Sequence, residues 1–172
     1  MLFGDISRFG IEFVLSPNPE GKWMFGHLCY WLCGQRIGDY ESITSLRDAM
    51  SEFETISREA GKRCSQHLFM LGKEELADML ERSMFGDQPV NELLETRATE
   101  EQWARFIIAP TMEVFIGWHI FLIEESHSGR AIYHNHASNK YFECNLQYGE
   151  FDQVLNMAVQ SLRQHCSAIS LP

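Results

Sequence analysis

The first forty residues alternate short β-prone runs with turn residues, and this pattern limits the chain to a fold that begins with a β-meander. Phe9–Leu15 has the composition of a strand, and it ends at residues 16–21, which are rich in proline and glycine. Proline removes a ladder donor and glycine can adopt a positive φ, so this segment predicts a loop. A strand over Trp23–Leu32, a tight turn at Cys33–Gly34 and a strand over Gln35–Tyr40 are predicted to follow.

The hydrophobic period changes after this meander. Apolar residues recur at helical spacing between Leu46 and Ala60, and Ser42 or Thr44 is expected as the N-cap and Gly61 as the end. Further helices are predicted near 73–84, 90–96 and 99–106. A last apolar series predicts a closing helix that packs on a sheet, through Phe151, Val154, Leu155, Ala158 and Leu162.

Strand-like composition returns after Pro110. Strands are predicted over Val114–Glu124, Arg130–His136 and Lys140–Leu146, and Ser126–Gly129 is the turn between the first two. The predicted class is therefore α+β, with an antiparallel or mixed sheet built from N- and C-terminal strands and helices packed on one side. A length of 172 residues favours one domain over residues 1–172.

The composition of the chain indicates the cellular compartment in which the protein is expected. Asp5 and Arg8 interrupt the first apolar residues, so a secretory signal is not predicted and a cytoplasmic location is expected. No apolar stretch has the length of a membrane span. The five cysteines are an odd number in a chain expected in the cytosol, so we expect reduced thiols at Cys29, Cys33, Cys64, Cys144 and Cys166.

The net charge of −10 argues against a nucleic-acid-binding surface, which needs a basic footprint. Acids concentrate in Lys73–Arg105, where nine acidic and four basic residues give a net charge of −5. This segment has two interpretations, solvated helix faces or a surface for a basic partner.

The sharpest chemical hypothesis is a metal site. His134 and His136 alternate on one face of a predicted strand, and His119 on a neighbouring strand could supply a third ligand. Because no carboxylate or thiol stands at a diagnostic spacing, no metal site is predicted. No cysteine lies in the sequence context of a catalytic nucleophile, and Gly34-x-x-x-Gly38 lacks the Lys and Ser/Thr of a phosphate loop. We therefore predict neither a catalytic residue nor a cofactor, and a small metal- or thiol-dependent enzyme stays an alternative.

Aromatic residues on the predicted strands also have two interpretations. They fill the core of the sheet, or one alternate set stays exposed as a partner-binding face, because aromatic anchors concentrate interface energy. The residues concerned are Trp23, Phe25, Tyr30, Trp31 and Trp118.

Several fold-type motifs are spread over nearly the whole chain. They are Met1-x-x-Gly4-Asp5, Ile11-Glu-Phe13, Trp23-x-x-Gly26, Tyr30-Trp31, Ile37-Gly-Asp39, Thr44-Ser-Leu46, Gly117-Trp118, Leu122-x-Glu124 and Gly149-Glu-Phe-Asp152. Together they resemble the bacterial polymorphic-toxin and contact-dependent inhibition immunity proteins, specifically the family numbered forty-two. Residues 62–110 match no motif of that family, which would suit the part that recognises one particular toxin.

This resemblance implies a non-enzymatic cytosolic protein, made beside a secreted toxin, that binds and neutralises the toxin's C-terminal domain. If that domain is a nuclease, its cleft is basic, and acidic side chains could mimic phosphates. The predicted toxin contacts are Glu74, Asp78, Glu81, Glu95 and Glu101. No nucleic-acid or membrane partner is predicted, while a homodimer and a generic protein-binding adaptor both stay open.

Overall fold

The computed structural model describes residues 1–17, 23–85, 103–137 and 140–169. In chain order the elements are β1 (Leu2–Gly4), β2 (Phe9–Leu15), β3 (Phe25–Leu32), β4 (Gln35–Ile37), β5 (Thr44–Ser45), α1 (Leu46–Ser57), α2 (Gln66–Phe69), α3 (Lys73–Phe85), a 3₁₀ turn (Glu113–Phe115), β6 (Trp118–Glu125), β7 (Ser128–Asn135), β8 (Lys140–Gln147) and α4 (Glu150–Ile169).

The described residues form two compact units. The five-strand unit draws on Met1–Ala60, Pro110–Ile116 and Gly149–Pro172, and the three-strand unit on Gly61–Ala109 and Gly117–Tyr148. The single domain expected from the chain length stays a prediction. Among the described residues, no helix combines the length and the apolar composition that crossing a membrane requires.

The sheet of the five-strand unit is antiparallel throughout, with the order β1-β2-β3-β4 and with β5 also paired to β3. The strand predicted over Phe9–Leu15 is confirmed, and so is the turn at Cys33–Gly34, whose φ angles of 48° and 80° fit a two-residue hairpin turn. Its two flanking strands are shorter than predicted, since β3 begins at Phe25 and β4 ends at Ile37.

One face of this sheet forms the core of the unit. Side chains that alternate along β2 and β3 are almost fully buried, and they include Phe9, Ile11, Phe13, Leu28 and Tyr30. The closing helix is confirmed as α4, and each residue of its predicted apolar series is buried.

Helix α1 begins later than the sequence suggested. Its N-cap is Ser45, whose hydroxyl accepts a hydrogen bond from the backbone N–H of Asp48 at 3.2 Å, so the prediction of Ser42 or Thr44 is wrong. Thr44 is instead paired to β3 in β5. The helix ends at Ser57, because the following residues form a tighter turn before Gly61.

The three-strand unit has an antiparallel sheet in the order β6-β7-β8. Strand β6 begins at Trp118, later than the predicted Val114, because the 3₁₀ turn removes Val114 from the extended run. The hairpin between β6 and β7 closes over two residues, since Glu125 pairs with Ser128. Strand β8 confirms the third predicted strand. Helix α3 packs on this sheet through a core of Leu68, Leu76, Ala77, Leu80, Phe106, Phe121, Ile123 and Ile132.

The α+β class is confirmed, but the described strands form two sheets where the sequence predicted one. Strand-like composition shows where strands lie and does not show which strands pair, so the number of sheets was underdetermined. The helix predicted near 90–96 lies outside the described residues, as does most of the one predicted near 99–106.

Candidate functional site

Helix α3 carries two of the predicted toxin contacts on its exposed side. Glu74 and Asp78 are one helical turn apart, with 73% and 52% of their side chains exposed. A basic side chain lies 3.4 Å from Glu74 and another 2.9 Å from Asp78. Exposed ion pairs of this kind stabilise a protein by at most about 1 kcal/mol, so both carboxylates can exchange these partners for a ligand's cation. Glu95 and Glu101 lie outside the described residues.

Glu81 lies on the same helix in a different environment. It follows the buried Ala77 by one turn, and only 20% of its side chain is exposed. Its Oε1 lies 3.2 Å from His119 Nδ1 and 3.1 Å from His134 Nδ1, and Tyr141 donates its hydroxyl hydrogen to Oε2 at 3.2 Å. The carboxylate is therefore already the acceptor for three side chains, and its role as a toxin contact stays a prediction.

The three histidines of the sequence hypothesis come together in the three-strand unit. His119 on β6 is the direct cross-strand partner of His134 on β7, and His136 follows two residues later on the same side. One ring nitrogen from each residue lies within 4.8 Å of the others. His134 is 5% exposed, and its Nε2 atom has no hydrogen-bond partner among the described residues. His136 is exposed, and its Nε2 lies 3.1 Å from His119 Nε2.

Burial shifts the pKa of two members of this cluster, His119 and Tyr141. Desolvation lowers the pKa of His119, and the nearby Glu81 carboxylate opposes the shift without reversing it. Desolvation also raises the pKa of Tyr141, and the negative charge of Glu81 raises it further. His119 is therefore a neutral imidazole at physiological pH and Tyr141 a neutral phenol, which is the state in which the first can offer a lone pair and the second a hydrogen.

The second face of the five-strand sheet carries a different polar group. Glu12 on β2 accepts hydrogen bonds from Trp31 Nε1 at 2.9 Å and from the Tyr40 hydroxyl at 3.1 Å. Desolvation and the Glu12 charge raise the pKa of Tyr40 to about 12. Both of these donors thus keep their hydrogens at physiological pH.

The aromatic residues divide between the two interpretations given to them. Tyr30 is fully buried in the core, whereas Trp23 and Phe25 are 63% and 41% exposed, with ring centroids 6.4 Å apart. Trp31 and Trp118 are half-buried. The exposed pair forms a small apolar patch at the start of β3.

The cysteines correct one expectation. Cys29, Cys64 and Cys166 are free thiols, but Cys33 and Cys144 are disulfide-bonded, so the expectation of five reduced thiols is wrong. An odd number of cysteines excludes complete pairing only. Burial, with the Glu12 charge as a smaller cause, raises the pKa of Cys29 to about 12. This thiol is protonated at physiological pH and is a poor nucleophile.

Two residues of the histidine cluster had no signal that assigned them to it. The sequence indicated only the charge of Glu81, because that residue reaches His119 and His134 through tertiary contacts over 38 and 53 residues. Tyr141 lies opposite His134 in the pairing of β7 with β8, and that register was not predicted. The alternation of His134 and His136 was the one local signal, and it is reproduced in β7 and the residue after it.

The sequence profile of the family described as immunity protein 42 matches residues 1–161. The chain therefore belongs to the immunity protein 42 family, and the resemblance seen in its motifs is confirmed. It is an immunity protein, a class whose function is to neutralise a toxin. No curated protein sequence matches the chain.

A solved structure supports the fold. The chain is similar to CdiI from Burkholderia dolosa AUO158, with a TM-score of 0.71 and 20% sequence identity, over 94% of this chain and 99% of that one. At this identity the similarity concerns the fold, and it shows that the whole described architecture recurs in another protein.

Proposed function

We propose that this immunity protein acts in the cytosol, without catalysis, by binding the C-terminal domain of its cognate secreted toxin and covering the toxin's active or substrate-binding surface. The observation that carries the proposal is the family match over residues 1–161. The net charge of −10 indicates that the bound toxin surface is basic, because an acidic inhibitor suits a basic target. A toxin with a basic substrate cleft is most simply a nuclease.

The acidic side of α3 is our candidate for the first contact with that cleft. Glu74 and Asp78 are separated by one turn, and their exposed carboxylates can stand in for the phosphates of a nucleic acid. Charge of this kind steers association over distances comparable to the Debye length, about 8 Å at physiological ionic strength. Glu95 and Glu101 extend the proposal along the sequence, and Glu81 is its least exposed member.

Neutralising a lethal enzyme requires tight binding as well as fast binding. Nanomolar affinity corresponds to about −12 kcal/mol, and an interface of roughly 1,600 Å² can supply it when apolar anchors lie at its centre. Within the five-strand unit, the exposed pair Trp23 and Phe25 is an aromatic surface of this kind, and it is proposed separately from the contact at α3. The proposed binding does not require the free protein to be either a monomer or the homodimer considered above.

Co-expression tests the proposal directly. The toxin domain encoded beside this protein, produced alone in a bacterial host, should stop growth, and co-expression with this chain should restore it and yield a stable complex on size-exclusion chromatography. Growth arrest that persists despite soluble immunity protein would refute the proposal. A complex whose toxin digests neither DNA nor RNA when free would refute the nuclease assignment alone.

Association kinetics test the contact surface. Glu74→Lys with Asp78→Lys should slow association by about tenfold or more at low salt and weaken its salt dependence. The matched control compares Glu74→Lys with Glu41→Lys, because Glu41 is 86% exposed, also lies near one basic side chain, and its replacement changes the net charge equally. Equal effects of these two single changes would show a general charge effect and contradict a contact at α3.

A further inference from the structure

We propose that His119, His134 and His136 form a binding site for a zinc ion or a similar transition-metal ion, and that Glu81 orients the rings. All four residues lie in the three-strand unit, and zinc binding there does not depend on the proposed toxin contact. In the sequence, no carboxylate stands at a diagnostic spacing from these histidines. The fold supplies one from α3, 38 residues before His119 and 53 before His134.

One pair of ring nitrogens is already close to the spacing that a zinc ion imposes. Zinc binds imidazole nitrogen at about 2.0–2.1 Å, so two ligands of a tetrahedral ion lie roughly 3.3 Å apart. His119 Nε2 and His136 Nε2 are 3.1 Å apart, and all three residues offer a nitrogen within 4.8 Å of the others. His136 is exposed, so its ring can rotate into place without displacing the core.

Glu81 fixes which nitrogens are available. A carboxylate accepts hydrogen bonds, so the Nδ1 atoms of His119 and His134 carry the hydrogens that face its Oε1. Each Nε2 atom then holds a lone pair. This is the arrangement of metal-binding histidines, in which the nitrogen that does not bind the metal donates to a carboxylate that orients the ring.

His134 supplies the observation that points to a ligand. Its side chain is more than nine-tenths buried, and its Nε2 lone pair meets no donor among the described residues. A buried polar atom without a partner costs about 1–3 kcal/mol. A cation bound to Nε2 removes that cost, and His119 and His136 each place a ring nitrogen within 4.8 Å of a ring nitrogen of His134.

The donor set selects the kind of ion. Three neutral imidazoles suit zinc, copper or nickel, whereas magnesium and calcium require oxygen ligands. Three protein ligands leave a fourth position of a tetrahedral ion for water or for a group from another molecule.

Isothermal titration calorimetry of the chelator-treated, full-length protein with zinc chloride tests the site. We expect saturable binding of one zinc ion per chain, and its loss in His136→Ala and in His134→Ala. Glu81→Gln keeps the size of the side chain but not its charge, and it should weaken zinc binding about 10- to 100-fold. The matched control is His127→Ala, an exposed histidine in the β6–β7 turn that should leave zinc affinity unaltered.

Each result of these titrations either supports the zinc site or contradicts it. Absence of saturable zinc binding would overturn the proposal, and so would binding that survives His136→Ala or that His127→Ala reduces equally. Because His134 is buried, His134→Ala could unfold the unit, and the exposed His136→Ala then decides the question. A zinc-dependent rise in melting temperature seen for the unaltered protein and lost in His136→Ala would give independent support.

Discussion

Glu12 in the five-strand unit and Glu81 in the three-strand unit are both carboxylates that accept hydrogen bonds from side chains around an antiparallel sheet. The donors around Glu12 are an indole N–H from Trp31, a phenol from Tyr40 and, at 4.0 Å, the thiol of Cys29. An indole has no lone pair to offer a cation, and Tyr40 and Cys29 keep their hydrogens because the pKa of each is raised to about 12. The Glu12 network is therefore complete in itself.

Glu81 differs because two of its donors are imidazoles. When Nδ1 of His119 and of His134 faces the carboxylate, the opposite nitrogen of each ring is left with a lone pair directed away from it. The comparison teaches that a carboxylate beside a sheet does not by itself define a site. The chemistry depends on whether the side chains that hold the carboxylate have a second functional atom.

Among the substitutions that test this comparison, Gly26→Ala is expected to destabilise the five-strand unit most. A Cβ atom at Gly26 would lie 2.1 Å from the backbone oxygen of Val14 and 2.7 Å from Leu46 Cδ1, so strands β2 and β3 must separate. We expect a loss of about 3 kcal/mol in the free energy of unfolding, measured by urea denaturation.

Gly72→Ala in the three-strand unit is the control for that change, because a Cβ atom there would meet nothing within 4 Å. It should cost less than about 1 kcal/mol. Equal costs at the two positions would contradict the close approach of β2 and β3.

Glu12→Ala should have the next largest effect. It leaves the Trp31 N–H without its acceptor, and we expect a loss of about 1–3 kcal/mol in urea denaturation. Glu12→Gln should cost less, since its amide oxygen can accept from Trp31 while Tyr40 reverses its hydroxyl and accepts from the amide. Zinc affinity should not change in either variant, and a change would mean that the two carboxylate networks are not independent.

Thiol labelling tests whether the second face of the five-strand sheet is closed in the native protein, without any substitution. Iodoacetamide should modify the exposed Cys64 in the native protein, whereas Cys29, buried and with its pKa raised to about 12, should react only after denaturation. Peptide mass spectrometry after timed labelling measures both rates. Native-state labelling of Cys29 as fast as that of Cys64 would show that the second face of the five-strand sheet opens readily.

Local pattern was sufficient for elements whose periodicity is unambiguous. The alternation in Phe9–Leu15 and the helical spacing from Phe151 to Leu162 each predicted an element that the structure contains, because burial on one face leaves its period in the sequence. The boundary of β6 was missed, since Val114 is as apolar in a 3₁₀ turn as it would be in a strand. Strand partners, and therefore the number of sheets, are decided by contacts between distant segments.

The candidate sites show the same division. The alternation of His134 and His136 was visible in the sequence, and so was the possible contribution of His119. The part played by Glu81 was not, because 38 residues separate it from His119 and only the packing of α3 on the sheet brings them together. An acid chosen for its charge proved to be the group that orients two rings.

The two-residue turn between β6 and β7 sets the register that brings the histidines together. Because Glu125 pairs with Ser128, every later residue of β7 has a fixed partner, including His134 opposite His119. Side chains alternate between faces, so inserting one residue after His127, with the turn kept at two residues, would carry His134 and His136 to the far side of the sheet. A single added codon could thus dismantle the cluster in a relative while all three histidines remained in its gene.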